Sequence, residues 1–116
     1  MSTHAKVGLD EGGLIRAIYI HSDGYVAGVG DTLKCFYNTE DKVEELIEMG
    51  DCSHLGESLD EDESCFYHRD RGESLKISNI SEADLAKCEE YNYLFKGGIW
   101  YISCDDSDYK WVKLCT

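Results

Sequence analysis

The chain has 116 residues, 42% of them hydrophobic, and its 24 acidic and 11 basic residues give a formal net charge of −13. This length suits a single domain over 1–116, and the hydrophobic content excludes an intrinsically disordered chain. The negative charge argues against direct binding to nucleic acid or to an anionic membrane, and no apolar run is long enough for a membrane span. We therefore expect one compact, acidic, cytoplasmic domain.

Two β-strands are predicted at the start of the chain. Residues 5–9 and 14–20 are rich in apolar and β-branched side chains. The turn between them, 10–13, has the Asp-Glu-Gly-Gly composition of a hairpin. The glycine-rich segment 21–30 then ends the second strand and is predicted to be a loop.

Two helices are predicted next, over 32–37 and 40–49. Asp31 is the candidate N-cap of the first helix, and Asn38 and Thr39 are the candidates for the second. The apolar side chains of each helix recur on one face, which is the pattern of a helix packed on a core.

The second half of the chain is predicted to be mainly β-structure. The expected elements, in order, are an acidic surface loop over 51–63, a strand over 64–68, a short helix opening at Ser81, a hairpin over 91–104 and a last strand over 109–115. The predicted fold class is α+β, a mostly antiparallel sheet with two or three short helices packed on one face.

The six cysteines are predicted to be reduced, because their spacing is wide and no secretion signal precedes them. Three of them are expected on apolar faces of predicted elements: Cys35, Cys88 and Cys104. Four residues offer a zinc site as the alternative: Cys52, His54, Cys65 and His68. Their first pair is too closely spaced for a zinc knuckle and the second lacks a turn glycine, so we predict neither a metal nor a cofactor.

The negative charge is concentrated in residues 40–63, which we call the acidic segment. Its acids are Glu40, Asp41, Glu44, Glu45, Glu48, Asp51, Glu57, Asp60, Glu61, Asp62 and Glu63. With Lys42 as the one base, these eleven acids give the segment −10 and leave −3 for the rest of the chain. The acids on the predicted helix are spaced by about 3 Å, close to the roughly 3.4 Å between phosphates of one DNA strand. Two interpretations remain open: a surface that docks on a basic partner, and an ordinary solvated face.

Two further clusters are candidate ligand-binding sites. His21 and Asp23 form a possible acid–base pair in a glycine-flanked loop, with Tyr25 as a stacking platform. Arg69 and Arg71 supply guanidinium groups suited to phosphate or carboxylate. The alternatives are a turn at Asp23 with a packed tyrosine, and salt bridges from the arginines to the acidic segment. No catalytic motif is present, so no catalytic residue is assigned.

Residues 19–25, Tyr-Ile-His-Ser-Asp-Gly-Tyr, and residues 68–73, His-Arg-Asp-Arg-Gly-Glu, are two fairly specific motifs. Together with the Met-Ser-Thr-His start, they resemble a family of small, largely uncharacterised phage and bacterial proteins. In that family the start is Met-Gly-Thr-Arg and the loop is His-Trp-Asp-Gly-Tyr-Pro. His4, Ser22 and Val26 stand where the family has Arg, Trp and Pro. The resemblance covers most of the chain and implies a phage or prophage setting and one compact domain, without an established activity.

The charge and the resemblance together predict a phage-encoded acidic inhibitor of a host defence protein, similar to an anti-CRISPR protein. It would bind a basic, nucleic-acid-handling surface without catalysis, in the cytoplasm of a bacterial host. The expected partner is a host defence or nuclease protein, with no direct contact to nucleic acid or membrane. The alternative is a domain that binds or sequesters a phosphorylated nucleotide in a pocket lined by both motifs, or a small enzyme that uses the same residues. Those residues are His21, Asp23, Tyr25, Arg69 and Arg71.

Overall fold

The computed structural model describes residues 3–114, and their strands form one mixed sheet. The strands are β1 (Ala5–Glu11), β2 (Leu14–Ile20), β3 (Cys52–His54), β4 (Cys65–Phe66), β5 (Ser78–Ile80), β6 (Tyr91–Lys96), β7 (Ile99–Cys104) and β8 (Val112–Lys113). Their order is β4-β3-β2-β1-β6-β7-β8, and β5 pairs with β2 beside this path. Neighbouring strands are antiparallel except for the parallel pairs β1–β6 and β2–β3.

Helices complete an α+β fold, which confirms the predicted class. They are α1 (Asp31–Phe36), α2 (Glu40–Glu48), α3 (Tyr67–Arg71) and α4 (Glu82–Leu85), with a π-helical turn at Val26–Gly30 and a 3₁₀ turn at Asp105–Ser107. Asp31 is the first residue of α1 and not its cap, because the π-helical turn runs directly into this helix. Thr39 caps α2 as predicted, since its hydroxyl accepts a hydrogen bond from the Lys42 N–H at 3.3 Å.

The main core lies between one face of the sheet and helices α1 and α2. Val7, Leu9 and Ile18 alternate onto this face of β1 and β2, as the two-residue period of a strand requires. Leu33 of α1 and Leu46 of α2 cover them. All five side chains are at most 1% exposed, so this face carries most of the apolar burial that stabilises the fold.

Helix α4 packs on the opposite face of the sheet, so the helices are not confined to one face as the sequence suggested. Leu85 of α4 forms a second buried cluster with Ile15, Ala17 and Leu94. Gly8 permits this close packing, because a Cβ there would lie 2.7 Å from Leu85 and 3.0 Å from Ile15. The second layer therefore covers the part of this face that lies around Gly8.

The strand predicted over 64–68 is shorter than expected, because the chain turns into helix α3 at Tyr67. The carboxylate of Asp70 accepts a hydrogen bond from the Phe66 N–H at 2.8 Å, across the start of this helix. Gly72 ends the helix in the left-handed conformation, with φ of 68°. The predicted loop 51–63 likewise contains a short strand, β3, at its start.

The cysteines occupy mixed positions. Cys52 and Cys104 are buried, whereas Cys35 and Cys88 are exposed, so the apolar setting predicted for these last two is wrong. Cys35 lies on the short helix α1, and Cys88 lies in the bend that follows α4. The five cysteines within residues 3–114 are free thiols. Cys115, in the predicted last strand, lies outside the described residues.

Candidate functional site

The acidic segment contributes to two groups of carboxylates, of which the first lies on α2 beside the sheet. Glu44 and Glu48 lie near Arg16 of β2, whose guanidinium pairs with Glu11 at 2.8 Å. Desolvation and the nearby Glu11 carboxylate raise the pKa of Glu44 above its ordinary value. This group therefore belongs to a local network on the sheet and is partly neutralised by Arg16.

The second group surrounds a surface cleft of about 400 Å³, which we call the acidic cleft. Glu45 approaches it from α2, and Glu57 and Asp60 approach it from the loop after β3. Phe36, 39% exposed, supplies an apolar wall, and Lys42 is the basic residue among those lining the cleft. Carboxylates from two parts of the acidic segment thus meet on one surface, which the sequence alone did not reveal.

The loop that carries Glu57 and Asp60 is anchored by Ser64, a fully buried serine. The Ser64 hydroxyl donates to the Ser58 carbonyl at 2.7 Å and accepts from the Gly56 N–H at 2.8 Å. These two hydrogen bonds fold the loop back on itself and hold its acids beside the cleft.

Tyr37, the residue that follows α1, anchors the same loop, because its hydroxyl donates to the Gly56 carbonyl at 3.0 Å. Burial raises the pKa of Tyr37 to about 12. We expect the stabilisation from its neutral hydroxyl to be complete below pH 10, the usual tyrosine pKa, and to be lost as the pH rises towards 12. Denaturant unfolding at pH 9 and pH 12 should show a larger loss for the parent than for Tyr37→Phe, by roughly 2 kcal/mol. Equal losses in both proteins would contradict this role.

Most acids of the segment are exposed and lack an ion-pair partner. The ion pairs among residues 3–114 join Arg16 to Glu11, Lys34 to Asp31, Arg69 to Asp70, and Lys96 to Asp10 and Glu82. None of them includes an acid of the segment. Glu44 and Asp51 are half-buried, and the Asp51 carboxylate accepts from the Tyr19 N–H at 3.0 Å, which ties it to the sheet. The other nine acids are exposed to solvent.

The loop at 21–25 has a structural role at its centre. Asp23 adopts a positive φ of 58°, and its carbonyl accepts from the Val29 N–H at 2.8 Å. Gly24 donates to the Thr3 carbonyl at 2.8 Å and accepts from the Tyr93 hydroxyl at 2.7 Å. Tyr25 is 41% exposed, so its ring remains open to solvent.

Arg69 and Arg71 both interact with nearby residues of the chain. The Arg69 guanidinium pairs with Asp70 at 2.8 Å and also donates to the carbonyls of Ser64 and Leu59. The Arg71 guanidinium lies 5.0 Å from the centroid of the Tyr67 ring, a cation–π distance. Arg69 thus helps to hold the loop that carries Glu57 and Asp60.

The two loop motifs continue from the sheet in opposite directions. The first motif follows β2, which is parallel to β3, and its His21 N–H donates to the Cys52 carbonyl. The second motif follows β4, which is antiparallel to β3, and the Tyr67 N–H donates to the Asp51 carbonyl. The two chain segments therefore run past β3 in opposite directions. Within residues 3–114, no hydrogen bond or ion pair joins His21 or Asp23 to either arginine. A shared pocket built from both motifs remains a prediction.

The sequence analysis missed a cluster of two histidines and a tyrosine at the end of the β1–β2 hairpin. The Tyr19 hydroxyl lies 2.8 Å from Nδ1 of His4 and 2.9 Å from Nδ1 of His21. Nδ1 of His4 is also 2.8 Å from the His21 carbonyl oxygen, and the two imidazole centroids are 4.6 Å apart. All three side chains are half-buried. The register of the hairpin could have predicted this cluster. Ala5 pairs with Ile20, and one further step along both strands places His4 opposite His21.

No protein-family model, curated protein or solved structure matches this chain. No group of three or more histidine, cysteine, aspartate and glutamate side chains within residues 3–114 converges as a metal site. No helix in the same range has the length and apolar character needed to cross a membrane.

Proposed function

We propose that this chain is a phage-encoded inhibitor that docks its acidic segment on a basic, nucleic-acid-handling surface of a host defence protein, in the cytoplasm of a bacterial host. The main support is the meeting of Glu45, Glu57 and Asp60 around one cleft, with no ion pair to a base among the described residues. The phage setting rests on the sequence resemblance of the loop motifs.

The energetics favour an interaction role for these carboxylates. Clustered like charges oppose folding, and α2 carries such pairs at four-residue spacing, each costing roughly 0.2–0.5 kcal/mol. The surface concentrates this unfavourable charge, and within residues 3–114 neither Lys42 nor Arg69, the bases near the cleft, forms an ion pair with its acids. A partner with a positively charged channel for nucleic acid would supply the missing cations and would be steered towards this surface. Such a partner would be inhibited by occupancy, without a catalytic step.

The partner is to be sought by capture from bacterial lysate on the immobilised chain, followed by mass spectrometry. If the acidic surface occupies a nucleic-acid channel, duplex DNA added to the beads should release the captured protein. The purified partner should also lose nucleic-acid binding when this chain is added. A captured protein that binds this chain and DNA simultaneously would contradict the proposal.

Neutralising the acidic cleft should weaken partner binding without weakening the fold. We define the cleft variant as Glu45→Gln, Glu57→Gln and Asp60→Asn. We expect its free energy of unfolding to be equal or higher, and its affinity for the captured partner to fall at least about tenfold, mainly through a slower association rate. Its binding should also depend less steeply on salt. Surface plasmon resonance at several salt concentrations measures both effects.

A matched control removes three negative charges elsewhere. The control variant is Glu73→Gln, Asp106→Asn and Asp108→Asn, and all three of these side chains are exposed. It changes the net charge by the same amount, so comparing the two variants distinguishes the effect of where the charge lies from the effect of the total charge. Equal loss of affinity in both variants would show that net charge matters and the cleft does not.

A further inference from the structure

One hydrogen-bond direction within the His4–Tyr19–His21 cluster is fixed by the chemistry of its partners. The His21 carbonyl can only accept, so Nδ1 of His4, 2.8 Å away, must carry a hydrogen. The same N–H of His4 faces the Tyr19 hydroxyl oxygen, which accepts from it, and a further hydrogen bond joins that hydroxyl to Nδ1 of His21. Three contacts of 2.8–2.9 Å thus link two imidazole nitrogens, the phenol oxygen and the His21 carbonyl oxygen.

The spacing of these atoms matches adjacent ligands of a transition-metal ion. Metal–nitrogen and metal–oxygen bonds of roughly 2.0–2.2 Å put neighbouring ligand atoms about 2.9 Å apart at right angles and about 3.4 Å apart in a tetrahedron. The contacts of Tyr19 Oη to the two Nδ1 atoms are 2.8 and 2.9 Å. A right-angled arrangement keeps these distances and requires the imidazole rings to turn, so that their Nδ1 lone pairs point at the ion and not at the phenol oxygen. A tetrahedral arrangement also needs the side chains to open by about half an ångström.

The electrostatic surroundings favour a cation over an anion. The Glu90 carboxylate accepts from the His4 N–H at 3.2 Å, which places a negative charge beside the cluster. The Asp51 carboxylate accepts from the Tyr19 N–H at 3.0 Å and adds a second negative charge close to the cluster. Lys6 stands opposite Tyr19 in the register and offsets part of this field.

We propose that His4, Tyr19 and His21 form a binding site for a divalent transition-metal ion, with the imidazole nitrogens and the phenol oxygen as side-chain ligands. Binding moves the hydrogen of His4 from Nδ1 to Nε2 and frees the Nδ1 lone pair. The Tyr19 hydroxyl gives up its proton to solvent as the oxygen binds, so one proton is released for each ion bound. The site lies apart from the acidic cleft, and its ion would join the residue before β1 to the end of β2 and the residue after it.

The four histidines of the chain make a direct test possible. Zn²⁺ is titrated into protein labelled with ¹⁵N on its imidazoles, with Cys35, Cys88 and Cys115 replaced by serine to remove competing thiols. We expect a saturable 1:1 complex in which the ring-nitrogen signals of His4 and His21 shift together. The signals of His54 and His68 should stay in place and serve as internal controls.

Variants separate metal ligation from simple hydrogen bonding. Tyr19→Phe and His21→Gln should each lower the Zn²⁺ affinity at least about tenfold, whereas His68→Gln should leave it unchanged. Backbone amide spectra confirm that each variant is folded. Shifts confined to His54 and His68, affinity unchanged in Tyr19→Phe and His21→Gln, or no saturation at millimolar Zn²⁺ would each overturn the proposal. The cluster would then be a hydrogen-bonded link between the two strands.

Discussion

Replacing Ser64 with alanine is expected to lower the free energy of unfolding by about 2–3 kcal/mol. The buried hydroxyl serves two backbone groups at once, the Gly56 N–H and the Ser58 carbonyl. Its removal leaves both without a partner, and each unsatisfied buried group costs roughly 1–3 kcal/mol. Urea unfolding followed by circular dichroism measures the loss.

The structural effect of Ser64→Ala should be confined to the loop 56–63, which carries Glu57 and Asp60. Hydrogen exchange in Ser64→Ala should accelerate across 56–63, while the amides of β1 and β6 keep their protection. Ser58→Ala is the matched control, because its hydroxyl accepts one exposed hydrogen bond, from the Asp60 N–H at 3.3 Å. It should cost less than about 1 kcal/mol. A loss in Ser64→Ala no larger than in the control would show that Ser64 does not hold the loop.

Replacing Gly24 with alanine is the second change with a large expected effect. A Cβ at this position would lie 2.8 Å from the His4 carbonyl carbon and oxygen and 2.9 Å from the Ala5 Cβ. Two of these atoms are backbone, so the strand or the loop must move. We expect a loss of about 2–3 kcal/mol in the free energy of unfolding, the range of an overpacked core site.

Tyr93→Phe tests the same junction from the other side. It removes the hydroxyl that donates to the Gly24 carbonyl and leaves that carbonyl unpaired, at a cost of about 1–3 kcal/mol. Because both changes act on one contact, the double variant should cost less than the two single losses together. Full additivity, or unchanged stability in Gly24→Ala, would contradict a structural role for the loop.

The hairpins and helix α2 were predictable because their local signals agree. The strand–turn–strand pattern of β1 and β2 places apolar residues on alternate positions, and the buried face follows that alternation. Helix α2 combines a capping threonine with an apolar stripe, and both features are present in the structure. The second strand pair, β6 and β7, was predicted for the same reasons.

The short elements were not predictable from local patterns. Strand β3 has three residues and pairs with β2 through Ile20 and Cys52, a contact between distant parts of the chain. Helix α3 begins where the sequence is rich in aromatic residues, and the carboxylate of Asp70 is bonded across its first turn. Such elements depend on tertiary contacts, which a pattern of a few residues does not encode.

The two candidate sites also differ in how far the sequence could predict them. The positions of the acids in the sequence located the acidic segment. The cleft depends on how α2 packs beside the loop after β3, and hydrogen bonds of Tyr37 and Ser64 hold that loop in place. The cluster of His4, Tyr19 and His21 depends on cross-strand register, and the predicted hairpin already contained that information.

The most direct test of the docking proposal is the amount of partner that the chain captures from lysate when the acidic cleft is neutralised. Parent, cleft variant and control variant are immobilised at equal density, and bound proteins are quantified by mass spectrometry. The docking account predicts a protein that the parent and the control variant recover equally and the cleft variant recovers at one tenth or less. Equal recovery by all three proteins would contradict it and would leave the acidic segment as a solvated face.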